Sequence, residues 1–311
     1  MPLVLFASLA AAADCSGPPV PALQPLAPEV WLVPGAPAAS GPENHGKTSH
    51  QLLAREGGRL WLIGAGPTPA YARALDCRLR QRFGHGATDV VVPWPHGEQA
   101  LGASGYAGAR LWVHSDVAAT MEHQCPACAE ALRAALGPAA AELGAAPVAI
   151  PDRRFEGASG ELGPWRWWRL WRGEGQPVTL WRLRATPLYF APGLVWQGGA
   201  PDSRLADVER LRASTHELVQ IGAPDGAAAR WVGEQGDPGD ASTPARQATY
   251  WDALQAAVDA AFERGEMLDK PPPLAGVAPE ALADPRHALN WQRAWRQAED
   301  RFLQAPEKGR Q

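Results

Sequence analysis

Lysine is almost missing from this chain of 311 residues. Only Lys47, Lys270 and Lys308 stand among its 29 basic residues, so the other 26 are Arg. With 33 acidic residues the net charge is -4 and the pI is near 6.1. There is no global basic field, which argues against a nucleic-acid partner. Past the N-terminus no segment holds 18 consecutive apolar residues, so no membrane span is expected in the mature chain. Repeats of fixed period are absent. Charged residues make up 20% against 46% hydrophobic, a balance that excludes disorder of the whole chain. Cys is scarce at four, and no His occurs between His123 and His216. What is abundant is Trp, with 14. Together with the Ala, Arg and Pro enrichment this points in part to compositional bias of the source genome.

Met1 to Ala13 is an uncharged apolar run ending in small residues, the pattern of a secretory signal without its basic start. A periplasmic or secreted protein is expected. An even Cys count fits an oxidising compartment. Of three connectivities, Cys15–Cys77 with Cys125–Cys128 is preferred, because the close pair forms easily. His123-Gln-Cys-Pro-Ala-Cys128 has other readings: a redox CxxC, or part of a zinc site with His123. Ala129 after Cys128 excludes c-type haem attachment.

Short apolar runs at Val30–Val33, Arg59–Ile63, Asp89–Val92 and Gly108–His114 read as strands. Thr68–Phe83 and Ala129–Leu143 have helical spacing, and Ser115 is a candidate N-cap. The alternation implies an α/β arrangement. Trp165–Arg172 and Val178–Arg184, separated by Gly173, Gly175 and Pro177, form an expected β-hairpin. Alternation puts Trp165, Trp167, Arg169 and Trp171 on one face, a candidate aromatic docking surface or an Arg-shielded sheet. Leu188–Trp196 reads as a strand pair, Asp202–Ser214 as a helix and Glu217–Ile221 as a strand. A Gly/Pro/Asp-rich stretch at 233–244 reads as a linker between residues 27–232 and a helical C-terminal region, 245–311. Two helices are expected there, Ala245–Glu263 and Pro285–Gln304.

The order strand, strand, helix, strand, then a Pro/His loop and Gly102 resembles the metallo-β-lactamase superfamily. The loop is Val91-Val-Pro-Trp-Pro-His-Gly-Glu-Gln-Ala-Leu-Gly102. A closer resemblance is to the quinoprotein relay system zinc metallohydrolases. It is carried by Cys125-Pro-Ala-Cys128 with Leu132-Arg133 and Leu136-Gly137, by Ile150-Pro-Asp-Arg-Arg-Phe155, and by His287-Ala-Leu-Asn-Trp-Gln-Arg293 with Glu299. The opening Glu29-Val-Trp-Leu-Val-Pro-Gly35 extends it. The resemblance implies an αββα sandwich with a helical C-terminal extension, and zinc held by imidazoles and carboxylates that activates water.

The family's loop pattern, His-x-His-x-Asp-His, falls on Trp94, His96, Glu98 and Gln99. His96 matches and Glu98 keeps a carboxylate. Trp94 and Gln99 cannot replace imidazoles. The next His ligand falls near Gly173-Glu-Gly175, the bridging Asp near Pro192, and the last His at Ala223 in Gly222-Ala-Pro-Asp225. Gly64 replaces the Asp that ends the second strand. The resemblance therefore implies a scaffold that has lost its dinuclear centre. The expectation is a non-catalytic protein without a cofactor, binding a periplasmic protein or a small molecule. A metal-dependent hydrolase is the alternative, with zinc on a relocated site of His96, Glu98, His45 and His50. A thiol role for Cys125 and Cys128 is another. Gly41 and Gly46-Lys47-Thr48 match a phosphate-loop spacing, but no helix pattern opens at Lys47. Ser214, His216 and Asp225 are triad residue types without a visible geometry.

Overall fold

The computed structural model describes residues 15–145, 148–266 and 271–304. The segment read as a secretory signal lies outside them.

Seven strands form the first sheet in sequence order: β1 (Gln24–Ala27), β2 (Val30–Val33), β3 (Gln51–Glu56), β4 (Arg59–Ile63), β5 (Asp89–Val92), β6 (Arg110–His114) and β7 (Arg153–Phe155). The first four pair antiparallel and the rest parallel. Parallel pairing needs crossovers, and helices supply two of them. These are α1 (Pro69–Phe83) and α3 (Ser115–Leu136), with the short α2 (Gly97–Ala100) in the remaining connection. The second sheet holds β8 (Ser159–Leu162), β9 (Trp165–Gly173), β10 (Gln176–Leu183), β11 (Leu188–Phe190) and β12 (Arg230–Val232). Helices α4 (Val208–Gly222), α5 (Thr243–Glu263), α6 (Pro279–Ala283) and α7 (Pro285–Gln304) complete the chain.

Side chains that alternate along the strands sort into three apolar layers. Leu53, Leu60, Leu62, Val90 and Val92 pack outward against α1 and α3. Their neighbours Leu52, Trp61, Ile63 and Val91 point inward and meet Trp165, Trp167, Trp181 and Phe190 of the second sheet. Leu170, Val178, Leu180 and Trp231 face the other way, against Leu211, Trp251, Leu254 and Trp291 of α4, α5 and α7. The result is a four-layer αββα sandwich with a helical C-terminal extension, as expected.

The Trp/Arg hairpin forms with Trp167 opposite Trp181 and Trp165 opposite Leu183. Its role differs from a docking surface. Trp165 and Trp167 are buried between the sheets, because the face they share is the one the first sheet covers. Arg169 on that face pairs with Asp116 at 2.8 Å and lies over Trp171.

Other expectations change where tertiary pairing decides. Gln51–Glu56 becomes a strand by pairing on both sides. Glu217–Ile221 is the end of α4, and Asp202–Asp207 precedes that helix. Only Leu188–Phe190 of the expected strand pair is a strand. His114, rather than Ser115, caps α3, its ring accepting from the Asp116 N–H. Residues 233–244 are not a free spacer: Glu234 is buried and Gly239 bridges Trp231. One disulfide, Cys15–Cys77, ties the N-terminal segment to α1. Cys125 and Cys128 are free thiols, not the second bridge, and they lie inside α3 rather than at its start.

Trp181 is fully buried, with Thr179 Oγ1 accepting its indole N–H at 3.0 Å. Trp181→Ala is expected to cost about 3–5 kcal/mol in urea unfolding. A cost under about 1 kcal/mol would place this indole outside the inter-sheet core.

Candidate functional site

The loop after β5 enters the cleft end of the sandwich with Trp94, His96, Glu98 and Gln99. His96 stands at the N-cap of α2, which turns Glu98 and Gln99 inward. Gly102 closes the loop: a Cβ there would lie 2.1 Å from the Ala65 carbonyl oxygen, so only Gly fits.

The His96 imidazole lies flat on the Trp94 indole, with ring centroids 4.3 Å apart and planes 5° from parallel. On the Trp94 ring the Arg172 guanidinium also lies, 4.4 Å from the centroid. Arg172 is only 1% exposed and also lies 5.6 Å from the Trp196 ring. Its Nη2 donates to the Asp202 carbonyl at 2.7 Å and its Nη1 to the Arg204 carbonyl at 3.2 Å. Burial lowers its pKa to about 10, against the pull of the Asp202 and Glu234 carboxylates.

His96 Nδ1 pairs with Glu98 Oε2 at 2.8 Å. Burial disfavours the imidazolium, but the Glu98 carboxylate outweighs it, with Glu234 adding to the effect, so the pKa is raised. Burial likewise opposes the Glu98 charge. The His96 charge and hydrogen bond, with a hydrogen bond from the Ser40 hydroxyl, overcome it and hold Glu98 at about 2. Ser40 donates to the carboxylate and not to the imidazole, so the three do not form a nucleophile–base relay.

Gln99 is fully buried; its amide donates to the His50 carbonyl at 3.0 Å and to Glu234 Oε1 at 3.2 Å. Glu234 also accepts from the Ser49 hydroxyl, and from the Gly193 N–H at 2.8 Å. Gly64 makes room for Gln99: a Cβ at residue 64 would lie 2.4 Å from Gln99 Oε1. Gly64 sits at φ 93, a conformation that also favours Gly. Gly193 plays the same part for Trp94, whose ring would lie 3.0 Å from a Cβ there.

His50 is beside this cluster but locked. Its Nδ1 accepts from the Gly35 N–H at 2.8 Å and its Nε2 meets the Gly236 carbonyl at 2.7 Å. Burial holds it neutral, at about 4. Lys47 is buried too, donating to the Val33 and Ser49 carbonyls, and burial brings it down to about 7 against the Glu234 charge. It closes a structural corner and cradles no phosphate. His45 pairs with Glu142 at 2.6 Å, so it does not join His50, His96 and Glu98.

Other sequence candidates separate. Ser214 donates to the Trp171 carbonyl, His216 meets Asp252, and Asp225 pairs with Arg182, so no triad forms. Cys128 reaches the site: its Sγ is 3.9 Å from the Pro95 carbonyl oxygen. His123 is exposed on α3. The C-terminal motif has a structural task. Asn290 donates to the Pro201 carbonyl and to Tyr250 Oη, and accepts from the Ser203 N–H and hydroxyl, which pins the loop carrying Asp202 and Arg204.

Solved structures share this architecture. The metallo-β-lactamase FIM-1 from Pseudomonas aeruginosa, in its mono-zinc form, superposes with a TM-score of 0.60 at 11% identity, covering 76% of this chain and 97% of its own. A metallo-β-lactamase from Pontibacter korlensis gives 0.57 at 16% identity, covering 74% and 98%. DIM-1 metallo-β-lactamase exposed to ceftazidime gives 0.59 at 10%, covering 76% and 99%. The fold is that of the metallo-β-lactamases. No family model matches the sequence, and no curated protein does.

The metallo-β-lactamase fold implies zinc, and the donors here do not fit it. The His50 nitrogens and the Glu234 oxygens are spent on protein hydrogen bonds, and His96 and Glu98 bind each other. Among the described residues no three His, Cys, Asp or Glu side chains are placed to hold a metal ion. Ala223 caps the end of α4 and stands apart from the cluster, and Glu234, which sequence reasoning missed, reaches the cluster from the loop after β12. The signal for it is Gly233-Glu234 directly after the apolar Trp231-Val232. Gly173-Glu174-Gly175 is the β9–β10 turn, its Gly175 carbonyl accepting from Thr120 of α3. Pro192 precedes Gly193, whose N–H serves Glu234.

The shifted groups set the acid response. His50 has its folded pKa lowered, so its contribution is present above about pH 6.5 and is lost as pH falls to about 4. Glu98 is lowered as well, so its contribution is present above about pH 4.5 and is lost toward about pH 2. His96 is raised, and its contribution is full below about pH 6.5 and fades as pH rises through its folded value. Urea unfolding is expected to weaken in two overlapping steps below about pH 6.5. Glu98→Gln should shrink the lower step and enlarge the upper, because His96 is then buried without its main counter-charge. An unchanged lower step contradicts the pairing of His96 with Glu98.

Proposed function

We propose that this chain is a non-catalytic binding or accessory protein built on the metallo-β-lactamase fold. The observation that carries the reading is Trp94. At the place where the sequence resemblance calls for a metal-binding His, an indole stacks with His96, carries the Arg172 guanidinium and packs on Gly193. Displacing that indole for a metal would strip a buried cation of its ring contact. The surrounding exchanges agree with it, since Gly64, Gln99 and Glu234 fit one another.

The resemblance to the quinoprotein relay hydrolases supports a partner in a periplasmic quinoprotein dehydrogenase system. The N-terminal apolar run and the Cys15–Cys77 bridge support export. Among the described residues no helix is long and apolar enough to cross a membrane.

Metal analysis of the purified protein by mass spectrometry is expected to find well under about 0.1 zinc per chain, with no β-lactam turnover. Zinc near one per chain that disappears in His96→Ala would overturn the reading. Copurification with a quinoprotein dehydrogenase would support the partner, and its failure on coexpression would count against it.

A further inference from the structure

Cys125 and Cys128 take no part in the structural bridge or in the polar cluster. Three residues apart on α3, they share a face, and the Cys128 thiol donates to the Pro95 carbonyl of the His96 loop. Helix geometry places such Cα atoms about 5 Å apart, inside the span of a disulfide. Their surroundings are unequal. Cys125 is fully buried against the α3 core, while Cys128 is partly accessible beside the His96 loop. Gly97 faces Cys128 without a side chain; a Cβ there would come 3.8 Å from the Cys128 Cβ. Cys125 beside it lowers the Cys128 pKa to about 7 against burial, with the His96 charge favouring and the Glu98 charge opposing the thiolate. Pro126 between the two cysteines removes one backbone donor from the helix, which leaves that turn less tightly held.

We propose that Cys125 and Cys128 are a thiol–disulfide exchange pair whose substrate is a low-molecular-weight disulfide, with Cys128 attacking and Cys125 resolving. The Cys128 thiol gives up its proton, and its sulfur attacks one sulfur of the substrate. The substrate S–S bond breaks, a mixed disulfide forms on Cys128, and one thiolate leaves and takes up a proton. Cys125 then attacks the Cys128 sulfur and passes its proton to the departing thiolate. The mixed disulfide breaks, the Cys125–Cys128 disulfide forms, and the second thiolate leaves. The protein dithiol is oxidised by two electrons and the substrate is reduced to two thiols. This stands apart from the absence of catalysis at the former metal site, since neither cysteine belongs to the stack of His96, Trp94 and Arg172.

The test uses the reduced dithiol in the full mature protein, with Cys15–Cys77 intact, and glutathione disulfide as probe. Intact mass should show loss of two hydrogens in the wild type. Cys125→Ser should instead trap one glutathionyl group, mapped by peptide analysis to Cys128, and Cys128→Ser should lose the reaction. Limiting iodoacetamide on the reduced wild type, which requires no variant to fold, should alkylate Cys128 before Cys125. First labelling at Cys125, or no oxidation of the pair by glutathione disulfide, overturns the proposal.

Discussion

A guanidinium with 1% of its surface exposed has to be solvated by protein. Arg172 meets that demand with the faces of Trp94 and Trp196 and two backbone carbonyls, and no carboxylate forms an ion pair with it directly. Each cation–π contact is worth about 0.5–2 kcal/mol, more when desolvated. The burial of Arg172 therefore depends on Trp94, and Trp94 depends on Gly193 leaving space for its ring. His96 stacks on the same indole. Its charge is balanced by Glu98, which Ser40 holds in place. The cleft end of the sandwich is organised around this stack.

A second chain of dependence runs through Gln99. Its amide joins the His50 carbonyl to Glu234, and Glu234 joins the loop after β12 to Ser49 and Gly193. Gly64 is the vacancy that Gln99 fills. An Asp at residue 64 would meet Gln99, and a His at residue 99 would lose the amide that Glu234 accepts. Gly64, Gln99, Glu234, Ser49 and Gly193 therefore form one mutually fitted, hydrogen-bonded core. The C-terminal helix extends the same logic outward: Asn290 fixes the loop whose Asp202 and Arg204 carbonyls receive Arg172.

Much of this was legible in the sequence. The β9–β10 hairpin followed from alternation around two glycines, and α7 from its apolar spacing; both formed where expected. Trp94 and Gln99 in the loop motif, and Gly64 at the end of the second strand, were singled out through the family resemblance. What escaped was set by contacts distant in sequence. Gln51–Glu56 has no strong strand signature and becomes a strand between two partners. Glu217–Ile221 is apolar enough for a strand but continues the amphipathic face of α4, and Glu234 on the loop after β12 was passed over. The burial of Lys47 and Arg172 is not legible in the sequence, because burial of a charge is decided by the residues that close over it. The Trp-rich hairpin invited a surface reading, yet the first sheet covers its Trp165 and Trp167 face.

The most direct test is a crystal structure of the mature protein soaked in zinc, with anomalous data collected at the zinc edge. The expected result is an intact stack of His96, Trp94 and Arg172, with Gln99 bonded to Glu234 and no anomalous peak at His96. A zinc peak on His96 with Trp94 swung out of the stack would contradict the account.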